Sequence, residues 1–318
     1  MKILITDPIS EDGINILKKH AQVDTRFGLK HDELKSVIGG YDTLIVRSQT
    51  KVTADIIQVG KNLKIIARAG AGVDNVDITA ATNEGIQVIN APTSNTIAVA
   101  ELVFGLMIAL ARHIPIAHGK LKTGVWAKKE SLGFELKGKT LGIIGLGRIG
   151  GEVAKRAQAF GMTVLASDPF VSDDYARSMN VRLVPLETLL GKADFITLHL
   201  LLNESTRGII GTKELVMAKP TMYVINTARG ELIDESALAK ALVENRIGGA
   251  AVDVYCEEPA TASTCPLLAF DNVIHTPHIA ASTVEAQNIG ATIVAEQIVD
   301  IFNGKAPKHS VNNPAPKR

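Results

Sequence analysis

One stretch, Thr140 to Asp168 (TLGIIGLGRIGGEVAKRAQAFGMTVLASD), restricts the fold more than any other part of the chain. An apolar run, Leu141 to Ile144, leads into Gly145-x-Gly147-x-x-Gly150. Behind the glycines a helical pattern sets Val153, Ala154, Ala157 and Phe160 on one side and stops at Gly161. A second apolar strand ends in Asp168, 18 positions after Gly150. Three glycines at this spacing are weak evidence alone. Between a strand and a helix, with an acid at that distance, they form a dinucleotide-binding fingerprint.

The spacing has a physical reading. Gly145 permits the tight turn, Gly147 lets the backbone approach a pyrophosphate, and Gly150 lets helix and strand pack closely. The open N–H groups at the helix start, with the helix dipole, then hold the diphosphate. Asp168 would accept hydrogen bonds from the adenosine ribose hydroxyls. Pro169 and Phe170 follow it, and no arginine stands there for a 2′-phosphate, so NAD is expected rather than NADP.

At 318 residues the chain has length for about two domains. Its formal net charge is +1, which gives no polyanion-binding surface, so neither nucleic acid nor an anionic membrane is an expected partner. Cys256 and Cys265 suit a reducing compartment and make no metal spacing, so no metal is expected. MKILITDPIS turns into a strand and a capped helix too soon for a signal peptide. The most apolar stretch, Ile97 to Ala111, is 15 residues long and contains Glu101, short of the roughly 20 residues of a membrane span. It reads as a buried helix at a domain junction or subunit contact, in a cytoplasmic protein.

The first ninety residues alternate strand and helix. Strands are expected at 2–6, 22–25, 43–46, 64–67 and 86–89, with helices starting at Ser10 as N-cap and at Thr53, the latter closed by Gly60. Such alternation indicates a parallel sheet covered on both faces. Two of these strands run into arginines, Arg47-Ser48 and Arg68-Ala69-Gly70-Ala71-Gly72. Ligands in open α/β sheets bind beyond the carboxyl ends of strands, so both guanidinium groups could reach one crevice, with the Gly70 and Gly72 amides uncovered for an anion. Residues 91–95 read as a hinge and 118–133, with Trp126, Lys128 and Lys129, as a polar excursion. After Asp168, strands are expected at 182–184, 194–199, 222–227, 249–254 and 272–276. With the two already named they make a doubly wound sheet of about seven strands. A helix starting near Ser282 has no place in that sheet and is expected to pack back on the first domain, before a polar tail with prolines from Pro307 onward. The expected division is 1–93 with 283–318, a discontinuous flavodoxin-like domain, and 94–282, a Rossmann domain.

Three ionisable residues fall beyond three late strands: Arg229 in NTARG, Glu258 in DVYCEEP and His278 in TPHIAAST. Oxidising a secondary alcohol needs a base for the hydroxyl proton and an acceptor for the hydride. His278 is the natural base and NAD the acceptor. Glu258 would raise the imidazole pKa and fix its tautomer, and the planar fork of Arg229 would hold a substrate carboxylate. Cys256, two residues before Glu258, is either a small loop filler or a point where oxidation would inhibit.

GLGRIG, NTARG, DVYCEEP and TPHIAAST, in this order, resemble the D-isomer specific 2-hydroxyacid dehydrogenases. LIVRSQTKVTADII, IIARAGAGVDNVDITAAT and VWAKKESLG are most similar to the branch of that family acting on phosphorylated glycerate. The resemblance covers essentially the whole chain. It implies a homodimer with a lid-like substrate domain and the oxidation of D-3-phosphoglycerate, the first step of serine synthesis. By position it makes Arg229, Glu258 and His278 catalytic, and sets Arg148, Ile149, Asp168, Thr227, Ala228, Asp253 and Ala281 beside the cofactor together with Gly145, Gly147 and Gly150. It sets Arg47, Ser48, Arg68, Ala69, Gly70 and Asn95 on the substrate side, and implies that Lys128 or Lys129 enters the neighbouring subunit's site. Two departures stand out. The family often has a proline two places after the strand-end histidine, where this chain reads His199-Leu200-Leu201. Long forms also carry regulatory domains after the core, so serine feedback through such a domain is not expected here. The surplus cations Arg47, Arg68, Lys128 and Lys129 independently suggest a second anionic group on the substrate. A glyoxylate or hydroxypyruvate reductase is the alternative within the family, and an NAD-sensing transcriptional corepressor the alternative outside enzymes.

Overall fold

The structure is a computed structural model that describes residues 1–315. The chain divides into two compact units, Met1–Asn95 with the segment from Ala281 onward, and Thr96–Ala280. In chain order the first part of unit one contains β1 (Lys2–Ile5), α1 (Glu11–Lys18), β2 (Gln22–Thr25), α2 (His31–Val37), β3 (Thr43–Val46), α3 (Ala54–Val59), β4 (Ile65–Arg68), α4 (Ile78–Asn83) and β5 (Gln87–Asn90). All five strands are parallel, in the order β2-β1-β3-β4-β5, the flavodoxin-like arrangement.

Side chains alternate across the sheet, and the alternation sorts the apolar residues into two cores. Leu4, Leu44, Val46, Ile66 and Val88 face one cluster, while Ile3, Ile5, Ile45, Ala67 and Ile89 face the other. Every residue of β3 is buried, as a strand covered on both sides requires. Thr53 and Gly60 bracket α3. Ser10 is the N-cap residue of α1 by backbone, but its hydroxyl makes no cap bond. It donates instead to Asn288 Oδ1 at 2.8 Å and so ties α1 to the last helix.

Unit two opens with α5 (Thr96–Ala111) and α6 (Ile114–Lys122), then β6 (Thr140–Ile144), α7 (Arg148–Ala159), β7 (Thr163–Ser167), α8 (Asp173–Ser178), β8 (Arg182–Leu183), α9 (Leu186–Lys192), β9 (Phe195–Leu198), α10 (Thr212–Met217), β10 (Tyr223–Asn226), α11 (Glu235–Val243), β11 (Gly249–Val252) and β12 (Val273–His275). The sheet has seven parallel strands in the order β12-β11-β10-β9-β6-β7-β8. Chain direction across it reverses at β6, so the switch point of this doubly wound sheet lies between β6 and β9. Ile196, Leu198, Val224 and Val252 belong to the core beneath α9 to α11. Ile143, Phe195, Ile225 and Ala251 belong to the core beneath α5 and α7. The apolar α5 lies on that second face with Val103, Phe104, Met107 and Leu110 buried, and leaves Ile97, Glu101 and Gly105, spaced by four, as its outward line.

Three local expectations need correction. Phe160 is not on the buried side of α7: as C-cap residue it is 44% exposed and stacks on Phe104 with ring centroids 5.1 Å apart. The stretch 118–133 is not simply polar, because half of α6 falls inside it and Leu121, Val125, Trp126 and Leu132 stand exposed. The strand ends lie within one to two residues of the expected limits: several ladders stop one or two residues short, while β4 and β5 run one residue further, to Arg68 and Asn90.

Beyond unit two, α12 (Val284–Phe302) buries Val294, Ala295 and Ile298 against Ile3, Ile5, Ala67 and α1 in unit one. Its true N-cap is Thr283, whose hydroxyl accepts from the Ala286 amide. Residues 309–312 of the tail are bonded to the rest of unit one. Asn312 Oδ1 accepts the Val88 amide at 2.7 Å, its Nδ2 donates to Thr82 Oγ1 and to the Ile86 carbonyl, and Val311 N–H bonds Val88 O. The tail thereby covers the open edge of β5. Pro307 and Pro314 fall in this segment; Pro316 lies outside the described residues.

Candidate active site

At the dinucleotide turn the helix α7 begins directly after Gly147, and the first intrahelical bond runs from Gly151 N–H to Gly147 O at 2.9 Å. The N–H groups of Arg148, Ile149 and Gly150 therefore start the helix without an intrahelical acceptor, the arrangement that binds a diphosphate. A Cβ on Gly150 would stand 2.2 Å from the Gly145 carbonyl oxygen, so the turn can be this tight only with glycine there. Asp168 Oδ2 accepts the Leu146 amide at 2.8 Å and Oδ1 accepts the Phe170 amide at 2.8 Å. Each oxygen keeps a lone pair for a ribose hydroxyl.

At the neighbouring strand ends the buried polar residues organise the loops. Behind β10, Asn226 Nδ2 donates to Arg229 O at 2.7 Å while its Oδ1 accepts the Ala228 amide at 3.1 Å, which folds residues 227–229 around one side chain. The Thr227 hydroxyl in that loop is buried with no hydrogen-bond partner among the described residues. A buried orphan hydroxyl is costly, and a bound dinucleotide would satisfy it. Gly230 follows, where a Cβ would meet the Tyr255 carbonyl carbon at 2.1 Å, so the Arg229 loop lies directly against the loop behind β11.

Behind β11, Asp253 is wholly buried. Its Oδ1 accepts from the Thr276 hydroxyl at 2.6 Å and the Ile279 amide at 2.8 Å, its Oδ2 from the Ala280 amide at 2.9 Å, and its backbone oxygen from the His278 amide at 2.8 Å. These bonds hold His278 in the left-handed region at φ +53°, which is uncommon for a residue other than glycine. The Tyr255 hydroxyl donates to Val252 O or Thr276 O, at 3.3 and 3.2 Å, and braces the same two loops.

The result is a paired acid and base. His278 Nδ1 lies 2.8 Å from Glu258 Oε2, and Glu258 Oε1 accepts the Tyr255 amide at 3.1 Å. The hydrogen bond to Glu258 raises the His278 pKa; burial and the Arg229 charge oppose the rise, and the charges of Glu258 and Asp253 add to it. Burial would raise the Glu258 pKa, but the bond to His278, the imidazolium charge, the Tyr255 amide and Arg229 together bring it below the ordinary value. Arg229 is thus within electrostatic reach of both partners, and its Nη1 donates to the Ala228 carbonyl at 2.6 Å. With Nδ1 occupied by Glu258, Nε2 is the free nitrogen for proton exchange.

His199, at the end of β9 beside the switch point, bonds Thr197 Oγ1 through Nε2 at 3.1 Å, and burial pushes its pKa down to about 3. It stays neutral at working pH and cannot serve as a cation for phosphate. Asn226, Asp253 and Tyr255 lie inside the NTARG and DVYCEEP motifs, but nothing in those motifs marks them as the residues that hold the loops in place.

In unit one, Arg68 ends β4 and Arg47 follows the end of the adjacent β3, with Val46 registered against Arg68. Burial lowers the Arg47 pKa and the Asp7 charge opposes the fall. Ser48 is exposed, Ala69 buried, and Asn95 Oδ1 is buried with no hydrogen-bond partner among the described residues. The Gly70 amide is not uncovered: it donates to Arg68 O at 2.8 Å, because the chain closes a tight turn there. Ala281 is the first residue of the returning segment in unit one, and Lys128 and Lys129 are exposed in unit two. Cys256 is a free, exposed cysteine whose thiol is pushed up to about 12 by burial, then by Glu235 and Glu231.

Residues 104–280 match the family profile described as D-isomer specific 2-hydroxyacid dehydrogenase, NAD binding domain. The chain is 51% identical over 315 residues to D-3-phosphoglycerate dehydrogenase of Methanocaldococcus jannaschii, covering 99% of this chain and 60% of that one. It is 47% identical over 296 residues to hydroxypyruvate reductase of Thermotoga maritima, covering 92% of this chain and 96% of that one. Its fold is similar to a D-lactate dehydrogenase from Aquifex aeolicus complexed with NAD and lactic acid, at a TM-score of 0.87, 26% identity, and coverage of 99% and 100%. The chain spans about 60% of the length of the archaeal phosphoglycerate dehydrogenases it matches.

Proposed function

Because the chain belongs to the D-isomer specific 2-hydroxyacid dehydrogenase family and its cofactor is NAD, we propose that it oxidises D-3-phosphoglycerate to 3-phosphohydroxypyruvate, the entry step of serine synthesis. The observation that carries the chemistry is the Glu258–His278 pair at 2.8 Å. Bound NAD supplies the hydride acceptor, held by Gly145, Gly147, Arg148, Ile149, Gly150, Asp168, Thr227, Ala228, Asp253 and Ala281. His278 Nε2 takes the proton of the 2-hydroxyl as the hydride leaves the same carbon. Glu258 holds the ring in the productive tautomer and stabilises the imidazolium that forms. Arg229 binds the substrate carboxylate as a planar fork and polarises the carbonyl in the reverse reaction. Arg47, Ser48, Arg68, Ala69, Gly70 and Asn95 form the substrate-binding set, with the two guanidinium groups as phosphate ligands.

A cytoplasmic homodimer is part of the same reading. Ile97, Ile114, Ile116, Leu121, Val125, Trp126 and Leu132 are exposed within one stretch, Trp126 to 78% and Leu132 to 82%, which supports a protein contact there. Among the described residues no single helix is long and apolar enough to cross a membrane, and both cysteines are free. Light scattering on the purified chain tests the dimer.

A second reading, hydroxypyruvate reductase, is favoured by the relative of that name whose length this chain nearly spans. An NADH-coupled assay over phosphorylated and unphosphorylated 2-hydroxy acids separates the two. Preference for D-glycerate over D-3-phosphoglycerate would reject the first reading.

A further inference from the structure

The loop behind β3, residues 47–50, leaves the first sheet where its strand order reverses, between β1 and β3. Backbone groups in such surface loops ordinarily bond water. Here they converge on one carboxylate. Asp7, 2% exposed at the end of β1, accepts through Oδ2 the amides of Arg47 at 2.6 Å, Thr50 at 3.1 Å and Gln49 at 3.2 Å. Its Oδ1 accepts the Thr50 hydroxyl at 2.6 Å. From the other side a single amide, Asn75 Nδ2, donates to the carbonyls of Arg47 at 2.8 Å and Thr50 at 2.7 Å. A buried carboxylate persists only where donors surround it, and these four meet that need.

We propose that Asp7 and Asn75 are positioning residues, a two-sided clamp that fixes the backbone of residues 47–50 so that the Arg47 guanidinium meets the substrate phosphate already oriented. The clamp rests on the reading of Arg47 as a phosphate ligand. Arg47 is itself half-buried, with Nη1 3.5 Å from the Pro8 carbonyl, so its anchor point leaves the long side chain little freedom to lose on binding. Neither clamp residue touches substrate; both act through the loop.

The test compares Asp7→Asn, Asn75→Ala and Arg47→Ala in the full chain, with D-3-phosphoglycerate and D-glycerate as substrates and NADH binding followed separately by fluorescence. Asp7→Asn turns an N–H donor toward the loop's own amides, and Asn75→Ala removes both carbonyl partners. The clamp predicts a KM for D-3-phosphoglycerate raised about tenfold in both variants, kcat within about threefold, and D-glycerate KM and NADH affinity unchanged. Should Arg47→Ala raise that KM while both clamp variants leave it alone, the clamp is refuted and the phosphate reading stands. Should Arg47→Ala itself leave KM unchanged, the phosphate reading fails and the clamp loses its role. Equal loss on both substrates would reduce the bonds to fold maintenance and overturn the proposal, and Asn75→Ala decides the matter if Asp7→Asn does not fold.

Discussion

Replacing Glu258 by Gln keeps the shape of the side chain and removes its charge from His278. At a nitrogen–oxygen distance of 2.8 Å the charge centres are roughly 4 Å apart, an attraction of about 4 kcal/mol at an effective dielectric near 20 and about 1 kcal/mol in water. The side chains are 38% and 48% exposed, so solvent screening brings the value close to the lower figure. About 1 kcal/mol corresponds to roughly a fivefold loss of rate at the plateau, where the imidazolium formed in the transition state lacks its counterion. The pH dependence has a definite sign. His278 in the folded protein titrates above its ordinary value chiefly because of the Glu258 bond, so Glu258→Gln lowers its pKa. With His278 in its proposed role as base, oxidation needs the neutral ring and its rate rises with pH through that pKa, so the acid limb moves to lower pH in the variant. Reduction needs the protonated ring, and its alkaline limb moves to lower pH as well. Initial rates from NADH absorbance in both directions, over a buffer series at constant ionic strength, measure both limbs. A variant whose limbs coincide with those of the parent would falsify the coupling, whatever its plateau rate.

Asp168→Ala removes the proposed acceptor for ribose hydroxyls and frees the Leu146 and Phe170 amides; NAD affinity should fall about tenfold and discrimination against NADP should narrow, by fluorescence titration with both cofactors. Thr227→Val removes a buried hydroxyl that lacks a partner among the described residues, so the free protein should gain about 1 kcal/mol in urea unfolding while NADH binds several-fold more weakly; stability and affinity falling together would contradict that role. Phe195→Ala empties a fully buried site where the ring stacks on Tyr223 at 5.3 Å, and should cost about 3–5 kcal/mol in the unfolding of unit two. With burial, then Glu235 and Glu231, pushing its thiol up to about 12, Cys256 should alkylate very slowly at neutral pH and accelerate steeply in alkali; fast labelling at pH 7 would show that these do not govern it.

Asp253 and Asp7 show a common device. Each is a nearly or wholly buried carboxylate at the end of a strand, and each gathers the backbone of a loop from a neighbouring strand, 276–280 and 47–50 respectively. His278 and Arg47, the proposed base and phosphate ligand, are thereby held through their backbones by an aspartate at the end of a neighbouring strand. Asn226 does the same within its own loop for Arg229. Such organisers leave little trace in a pattern of residue types, because an aspartate after an apolar run reads equally as a turn, a cap or a ligand.

What the order of residues alone determined is whatever depends on neighbours along the chain. The alternation of apolar runs with helical periods selects two parallel α/β sheets, and the spacing from Gly145 to Asp168 selects an NAD site, because those groups lie within one strand-turn-helix-strand unit and need no distant partner. Tertiary structure decided the rest. The choice of Nδ1 for the expected His278–Glu258 bond, the Thr227 hydroxyl without a partner among the described residues, the closed amide of Gly70 and the capture of β5's edge by Asn312 all depend on which loops meet in space. Hydrogen bonds and desolvation act over a few ångströms, and only the packed sheets bring residues remote along the chain to that distance.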